Sequence, residues 1–188
     1  MLYSKDHPLY FIALLLPQPL AKKLMGLKEL FRDKYQSKAS LNSPPHITLY
    51  MPFRWPDKKK ELLVQALNDL AQKHTAFKTQ LEDFGAFSPR VIFADVKPNP
   101  ELEKLQKDMI RVGRRALKLE GGDYKNRAFH PHITLAFRDL KKARFFEAWD
   151  DFKARSFKAD FEVNKFYLMK HNGTLWQEDQ YFGFRSKE

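Results

Sequence analysis

"NSPPHITLYMPF" at residues 42–53 and "RAFHPHITLAF" at 127–137 share the pentapeptide Pro-His-Ile-Thr-Leu. Each reads as a strand, and successive side chains of a strand point to opposite faces. His46 and Thr48 therefore share one face while Ile47 and Leu49 share the other, and His132 and Thr134 separate from Ile133 and Leu135 in the same way. Packing alone accounts for a repeated Ile and Leu but gives no reason to repeat His and Thr at the polar positions. The spacing of 86 residues between the two histidines is too long for a solenoid repeat and suits a duplicated lobe. If two such lobes meet about a pseudo-twofold axis, two imidazoles and two hydroxyls converge on one cleft.

The flanking sequence supports an α+β chain. "LYFIALLLP" at 9–17 reads as a buried strand, and residues 19–36 carry apolar side chains at helical spacing. "DKKKELLVQALNDLAQKH" has an Asp cap and an apolar stripe, and "PNPELEKLQKDMIRVGRRALKLE" opens with an Asn cap and a proline at the first helical position. Between these helices "AFKTQLEDFGAF" and "RVIFADVK" read as a hairpin. A helix over 140–153 and two long strands, "FKADFEVNKFYLMKHN" and "TLWQEDQYFGF", complete the chain. The order is βαβαββα followed by βαββ, the pattern of two similar lobes of antiparallel sheet flanked by helices around a central cleft.

Composition narrows the chemistry. The chain of 188 residues is 43% apolar, carries 17 Phe and 7 Tyr, and has no low-complexity tract, so it has the material for a packed core. Its formal net charge of +11 is spread along the whole length, which suits a polyanionic partner or a lysine-rich surface equally well. The absence of cysteine excludes disulfides, thiolate nucleophiles and cysteine metal sites. The N-terminal apolar run is too short to span a bilayer and lacks the flanks of a signal peptide, so the expectation is a cytoplasmic monomer with no membrane association.

A pair of histidines can hold opposite protonation states near neutral pH, which is what cleavage of a phosphodiester requires. One group takes a proton from the attacking oxygen and the other gives one to the leaving oxygen. Threonine hydroxyls can donate to the non-bridging oxygens, where charge accumulates in the transition state. A metal site lacks a third ligand at helpful spacing, because His74 and His171 are distant and His130 is set apart from His132 by a proline. The expected set is therefore metal-free and needs no cofactor.

The doubled His-Ile-Thr-Leu resembles the signature of the two-histidine (2H) phosphoesterases, in the branch of bacterial 2'-5' RNA ligase-like proteins and RNA 2',3'-cyclic phosphodiesterases. "YFIALLLPQPLAKKL" and "FGAFSPRVIFADVKPNPELEKLQKDM" are similar to that family's first strand and helix and to its middle hairpin and following helix. The resemblance implies a single domain over residues 1–188, built of two lobes. It implies metal-free hydrolysis of RNA-type 2',3'-cyclic phosphates to a monoester, with RNA ends or small cyclic nucleotides as substrate. His46 and His132 become acid and base, and Thr48 and Thr134 the phosphate-binding hydroxyls. The family assignment would make His132 the base and His46 the acid, although the sequence itself does not order them.

Beyond the motifs, Tyr50 continues the polar face of the first strand as a base-stacking candidate, and Arg138 continues that of the second through Ala136. Arg127 and Arg90 are further candidates for phosphate contact. Cleavage or ligation of a 2'-5' linkage uses the same residues and stays open, as does a non-catalytic RNA-binding module.

Overall fold

The structure, a computed structural model, describes residues 6–119 and 128–186. The first half runs β1 (Leu9–Leu15), α1 (Leu20–Tyr35), a 3-10 turn (Ala39–Asn42), β2 (His46–Arg54), α2 (Lys60–Ala71) and β3 (Phe77–Phe87). The second runs β4 (Val91–Val96), α3 (Pro100–Arg115), β5 (His132–Ala136), α4 (Lys142–Phe152) and β6 (Lys158–Val163), and β7 (Lys165–His171) and β8 (Trp176–Gly183) follow. The fold is α+β, as the sequence suggests.

The strands form two four-stranded antiparallel sheets, ordered β2-β1-β7-β8 and β5-β4-β3-β6. Both motif strands, β2 and β5, are therefore sheet edges, and they lie against each other where the sheets meet. Each lobe lends its helix to the other: α1 follows β1 yet packs on β5, and α3 follows β4 yet packs on β2. One continuous apolar core runs through both lobes, with Ile47 and Leu49 from β2 and Ile133 and Leu135 from β5 fully buried in it. At about 25 cal/mol per Å² of apolar surface removed from water, burial of these four side chains holds both strands in register.

Local chemistry explains the elements. The side chain of Asn99 accepts a hydrogen bond from the Leu102 N–H, and Pro100 takes the first turn, so α3 starts where sequence placed it. Its buried face is Leu102, Leu105 and Met109. The segment 157–172, expected as one long strand, is instead two strands in different sheets, with β6 pairing with β3 and β7 pairing with β1 and β8. The switch falls at Asn164, whose carbonyl accepts from the Phe184 N–H at 2.8 Å. The apolar pattern changes phase there, from Phe161 and Val163 on odd positions to Phe166 and Leu168 on even ones, so one uninterrupted strand could not bury both sets.

Gly113, inside α3, packs directly against the Tyr50 ring of β2. A Cβ at this position would lie 2.4 Å from the Tyr50 ring. Gly113→Ala would gain about 1 kcal/mol of helix propensity and lose about 1–3 kcal/mol to overpacking. The expected result is a lower midpoint in urea denaturation; an unchanged or higher midpoint would show that the ring can move aside.

Candidate active site

The two motif strands share one local build. On β2, Ala13 faces Thr48 and Ile12 faces Tyr50, which leaves Leu49 as an extra residue. On β5, Phe93 faces Thr134 and Ile92 faces Ala136, which leaves Leu135 as the extra one. A β-bulge thus follows each threonine, and a bulge inverts the alternation beyond it. Before its bulge, each strand presents only His and Thr on its polar face.

This bulge corrects two expectations. Tyr50 does not continue the polar face: it is 1% exposed and packs edge-on against Phe53 with ring centroids 5.6 Å apart. Arg138 does not continue the second face either, because Ala136 is fully buried. Arg138 lies past the strand end, is exposed, and stacks its guanidinium on the Phe137 ring at 4.9 Å. Arg127 lies outside the described residues, and Arg90 is exposed in the turn between β3 and β4.

Each motif histidine is held by its own backbone. Nδ1 of His46 lies 2.7 Å from the Pro44 carbonyl and Nδ1 of His132 lies 2.7 Å from the His130 carbonyl. A carbonyl can only accept, so Nδ1–H donates in both, and Nε2 is the atom free to exchange a proton. Pro45 or Pro131 stands between each carbonyl and its ring, and proline fixes φ near −65°. The repeated proline is thus a positioning device, and it was present in the sequence pattern that suggested only alternation.

Aromatic rings brace both imidazoles. Phe11 stands 4.9 Å from His46 and is itself backed edge-on by Trp176 at 4.6 Å. Phe93 stands 4.9 Å from His132, with Phe87 edge-on at 5.2 Å. Phe93 can lie there only because its cross-strand neighbour is Gly85, where a Cβ would meet the ring at 2.4 Å. Thr48 and Thr134 are half-buried beside their histidines.

A hydrogen-bonded clasp joins the segment before the first motif to the segment after the second. The Asp139 carboxylate accepts from Ser37 Oγ at 2.8 Å and from the Lys38 and Ala39 N–H groups at 2.8 and 3.0 Å. Ser40 Oγ donates to the Leu135 carbonyl at 2.6 Å, on the bulge residue of β5. From the other side Lys28 Nζ donates to the Ser40 and Ser43 carbonyls at 2.9 and 3.0 Å. Lys28, Ser37 and Ser40 are all buried. Sequence reading passed over these residues, yet Lys28 occupies the apolar stripe Leu20, Leu24, Lys28, Phe31, Tyr35 of α1, and a lysine there is a signal.

The electrostatics follow from burial. His46 is pushed down to about 4, first by burial and next by the Lys28 charge, with the Pro44 hydrogen bond opposing and His132 adding repulsion. His132 is also lowered, by burial first; its hydrogen bond to the His130 carbonyl raises it, the charge of His130 lowers it, and the charge of Asp95 raises it. Burial brings Lys28 down to about 7. Two neighbouring imidazoles that do not readily both carry charge can divide the roles of proton donor and acceptor.

Comparison with known proteins agrees with this geometry. The model of the family described as the 2'-5' RNA ligase superfamily matches residues 16–175. A relative from Geobacillus sp. (strain WCH70), named "Putative phosphoesterase", is 29% identical over 151 residues, spanning 79% of this chain and 82% of its own. Another of that name, from Bacillus cytotoxicus, is 30% identical over 128 residues, 67% of this chain and 70% of its own. Among solved structures, TT0787 of Thermus thermophilus superposes with a TM-score of 0.67 at 21% identity, covering 96% of this chain and 100% of that one. Escherichia coli LigT complexed with 3'-AMP gives 0.65 at 21% identity, covering 95% and 99%. The chain belongs to the 2'-5' RNA ligase superfamily, the 2H phosphoesterases.

The clasp is open to a direct test. Asp139→Ala removes a carboxylate that holds one hydroxyl and two backbone N–H groups, and the expected loss is about 1–3 kcal/mol in equilibrium unfolding. A variant as stable as the parent would show that Asp139 does not bind the two segments together.

Proposed function

We propose that this phosphoesterase opens RNA-type 2',3'-cyclic phosphates to a phosphomonoester without a metal, acting on RNA ends or small cyclic nucleotides. The observation that carries the reading is the pair of identically built His-x-Thr strands, each histidine pinned at Nδ1 so that its Nε2 is left to exchange a proton. The binding of 3'-AMP by E. coli LigT supports a ribonucleotide ligand for the shared fold.

The chemistry balances with these groups alone. A water oxygen attacks phosphorus while one Nε2 takes its proton. The bond from phosphorus to one ribose oxygen breaks, and the other imidazolium gives that oxygen a proton. Thr48 and Thr134 donate hydrogen bonds to the non-bridging oxygens, where negative charge builds up. The family description favours a second reading, cleavage or joining of a 2'-5' linkage, which uses the same residues and differs only in its products. A binding module without turnover would owe its affinity to the +11 charge, lose it in high salt and tolerate alanine at both histidines.

The test is hydrolysis of an oligoribonucleotide ending in a 2',3'-cyclic phosphate, in EDTA, with 2'- and 3'-phosphate products resolved. His46→Ala and His132→Ala are each expected to lose about 10²–10⁴-fold in rate, and Thr48→Val and Thr134→Val about 10²-fold. Full activity in either histidine variant, or none in the parent, would refute the assignment.

The pH profile follows from the site. Rate requires one histidine neutral and one protonated, so it falls on the acid side as the base gains a proton and on the alkaline side as the acid loses its own. His46 is lowered to about 4 and His132 lies below the ordinary 6.5. The kcat/KM profile is therefore expected to be a bell with its maximum on the acid side of pH 6.5. A monotonic profile, or a maximum above neutrality, would contradict the paired roles.

A further inference from the structure

The two halves of the site are alike in backbone but not in charge. The cross-strand neighbour of His132 is Asp95, whereas the neighbour of His46 at the corresponding place is Leu15. Directly opposed residues of an antiparallel pair have Cβ atoms about 4.5–5.5 Å apart, so a carboxylate stands beside one imidazole and an isobutyl group beside the other. Asp95 Oδ1 also accepts from His130 Nε2 at 3.0 Å, and the carbonyl of His130 holds Nδ1 of His132. Acid, loop histidine and motif histidine are thereby tied together.

His46 has the opposite surroundings. The Lys28 ammonium enters from α1, almost fully buried, and is held by the carbonyls of Ser40 and Ser43 a few residues before His46. Its hydrogen-bond partners are neutral, so its positive charge is not cancelled by them. Both ionisable groups that act on His46, Lys28 and His132, disfavour its proton, whereas at His132 the charge of His130 disfavours the proton and the Asp95 carboxylate favours it. A cation disfavours a second positive charge nearby and an anion favours it.

We propose that these fixed charges order the two histidines: Lys28 keeps His46 neutral as the base, and Asp95 favours the proton on His132, which serves as the acid. In the reaction proposed above, His46 Nε2 takes the proton of the attacking water, and His132 Nε2–H protonates the departing ribose oxygen. This reverses the order that family resemblance implies for the pair. Lys28 and Asp95 are positioning residues here, because they act through the imidazoles. Over the acid range where both histidines titrate, Lys28 carries its charge, since its own value is about 7.

The inference rests on the phosphodiesterase reading, and its test separates the two. Ring-proton NMR titration of the whole chain needs no turnover. In the parent, His46 is expected to titrate at lower pH than His132; Lys28→Met should move His46 up without moving His132, and Asp95→Asn should move His132 down without moving His46. The reverse order in the parent overturns the proposal, and so does an unmoved His46 in a folded Lys28→Met chain. Should Lys28→Met not fold, the parent order and Asp95→Asn still decide.

Rates then read the roles. A ribonucleotide 3'-(p-nitrophenyl) phosphodiester releases a leaving group that needs no proton, and its attacking 2'-hydroxyl still needs a base. That hydroxyl takes the place of the departing ribose oxygen of ring opening, so by microscopic reversibility the histidine that protonates it there takes its proton here: His46→Ala is expected to come within about tenfold of the parent on this ester, while His132→Ala stays down by about 10²-fold or more. The opposite pattern would make His46 the acid. A parent inactive on this ester and on cyclic phosphates alike would refute the phosphodiesterase reading, with the titration order still standing on its own.

Discussion

The arrangement depends on two sheet edges being kept facing each other without joining. An edge strand offers unpaired N–H and C=O groups and tends to recruit another strand. Here β2 and β5 are both edges and lie in contact, yet they belong to separate sheets. Pairing them into one sheet would close the space between the two His-Thr faces. The structure holds them by other means. Each lobe's helix crosses onto the partner's motif strand, the bulges after Thr48 and Thr134 break the ladders, and Asp139, Ser40 and Lys28 tie 37–43 to 135–139. Hydrogen bonds fix the spacing of the two motifs, and buried Ile and Leu fix which way they face.

The same constraint explains why the signature is so short. With a bulge at the fourth residue, only His and Thr project from the polar face of each strand before the chain turns its next side chain into the core. Tyr50 and Ala136 then serve the interior, and Tyr50 in turn dictates a glycine at 113. The geometry of the motif and the packing of the core are thus linked through a single residue of strand. A comparable link runs from Gly85 through Phe93 to His132.

Much of this could be read from the residues. The repeated pentapeptide, the Asn99 cap and the apolar periodicities yield the α+β duplication and place His46, Thr48, His132 and Thr134 on polar faces, whereas the Asp cap expected for α2 is not formed, since Asp57 sits in a 3-10 turn and the helix starts after Lys59 without a side-chain cap. Errors arose where a local rule was extended past an invisible backbone event. Strict alternation carried Tyr50 and Arg138 onto the wrong face because a bulge leaves no mark in composition. The division of 157–172 into two strands is legible, since the apolar phase reverses at Asn164. Lys28 was legible as a lysine in an apolar stripe, but its partners are backbone carbonyls, which sequence does not reveal. Asp139 was illegible for a like reason, as two of the groups it holds are main-chain N–H groups about a hundred residues away.

The measurement closest to the central claim asks whether the two motifs make one site. Long-range ¹H–¹⁵N spectra of the histidine rings, recorded while inorganic phosphate or 3'-AMP is added, report Nδ1 and Nε2 separately. The account expects one anion per chain to shift Nε2 of His46 and of His132 with a single shared dissociation constant, Nδ1 staying protonated in both. Response of only one histidine, or two different constants, would contradict it.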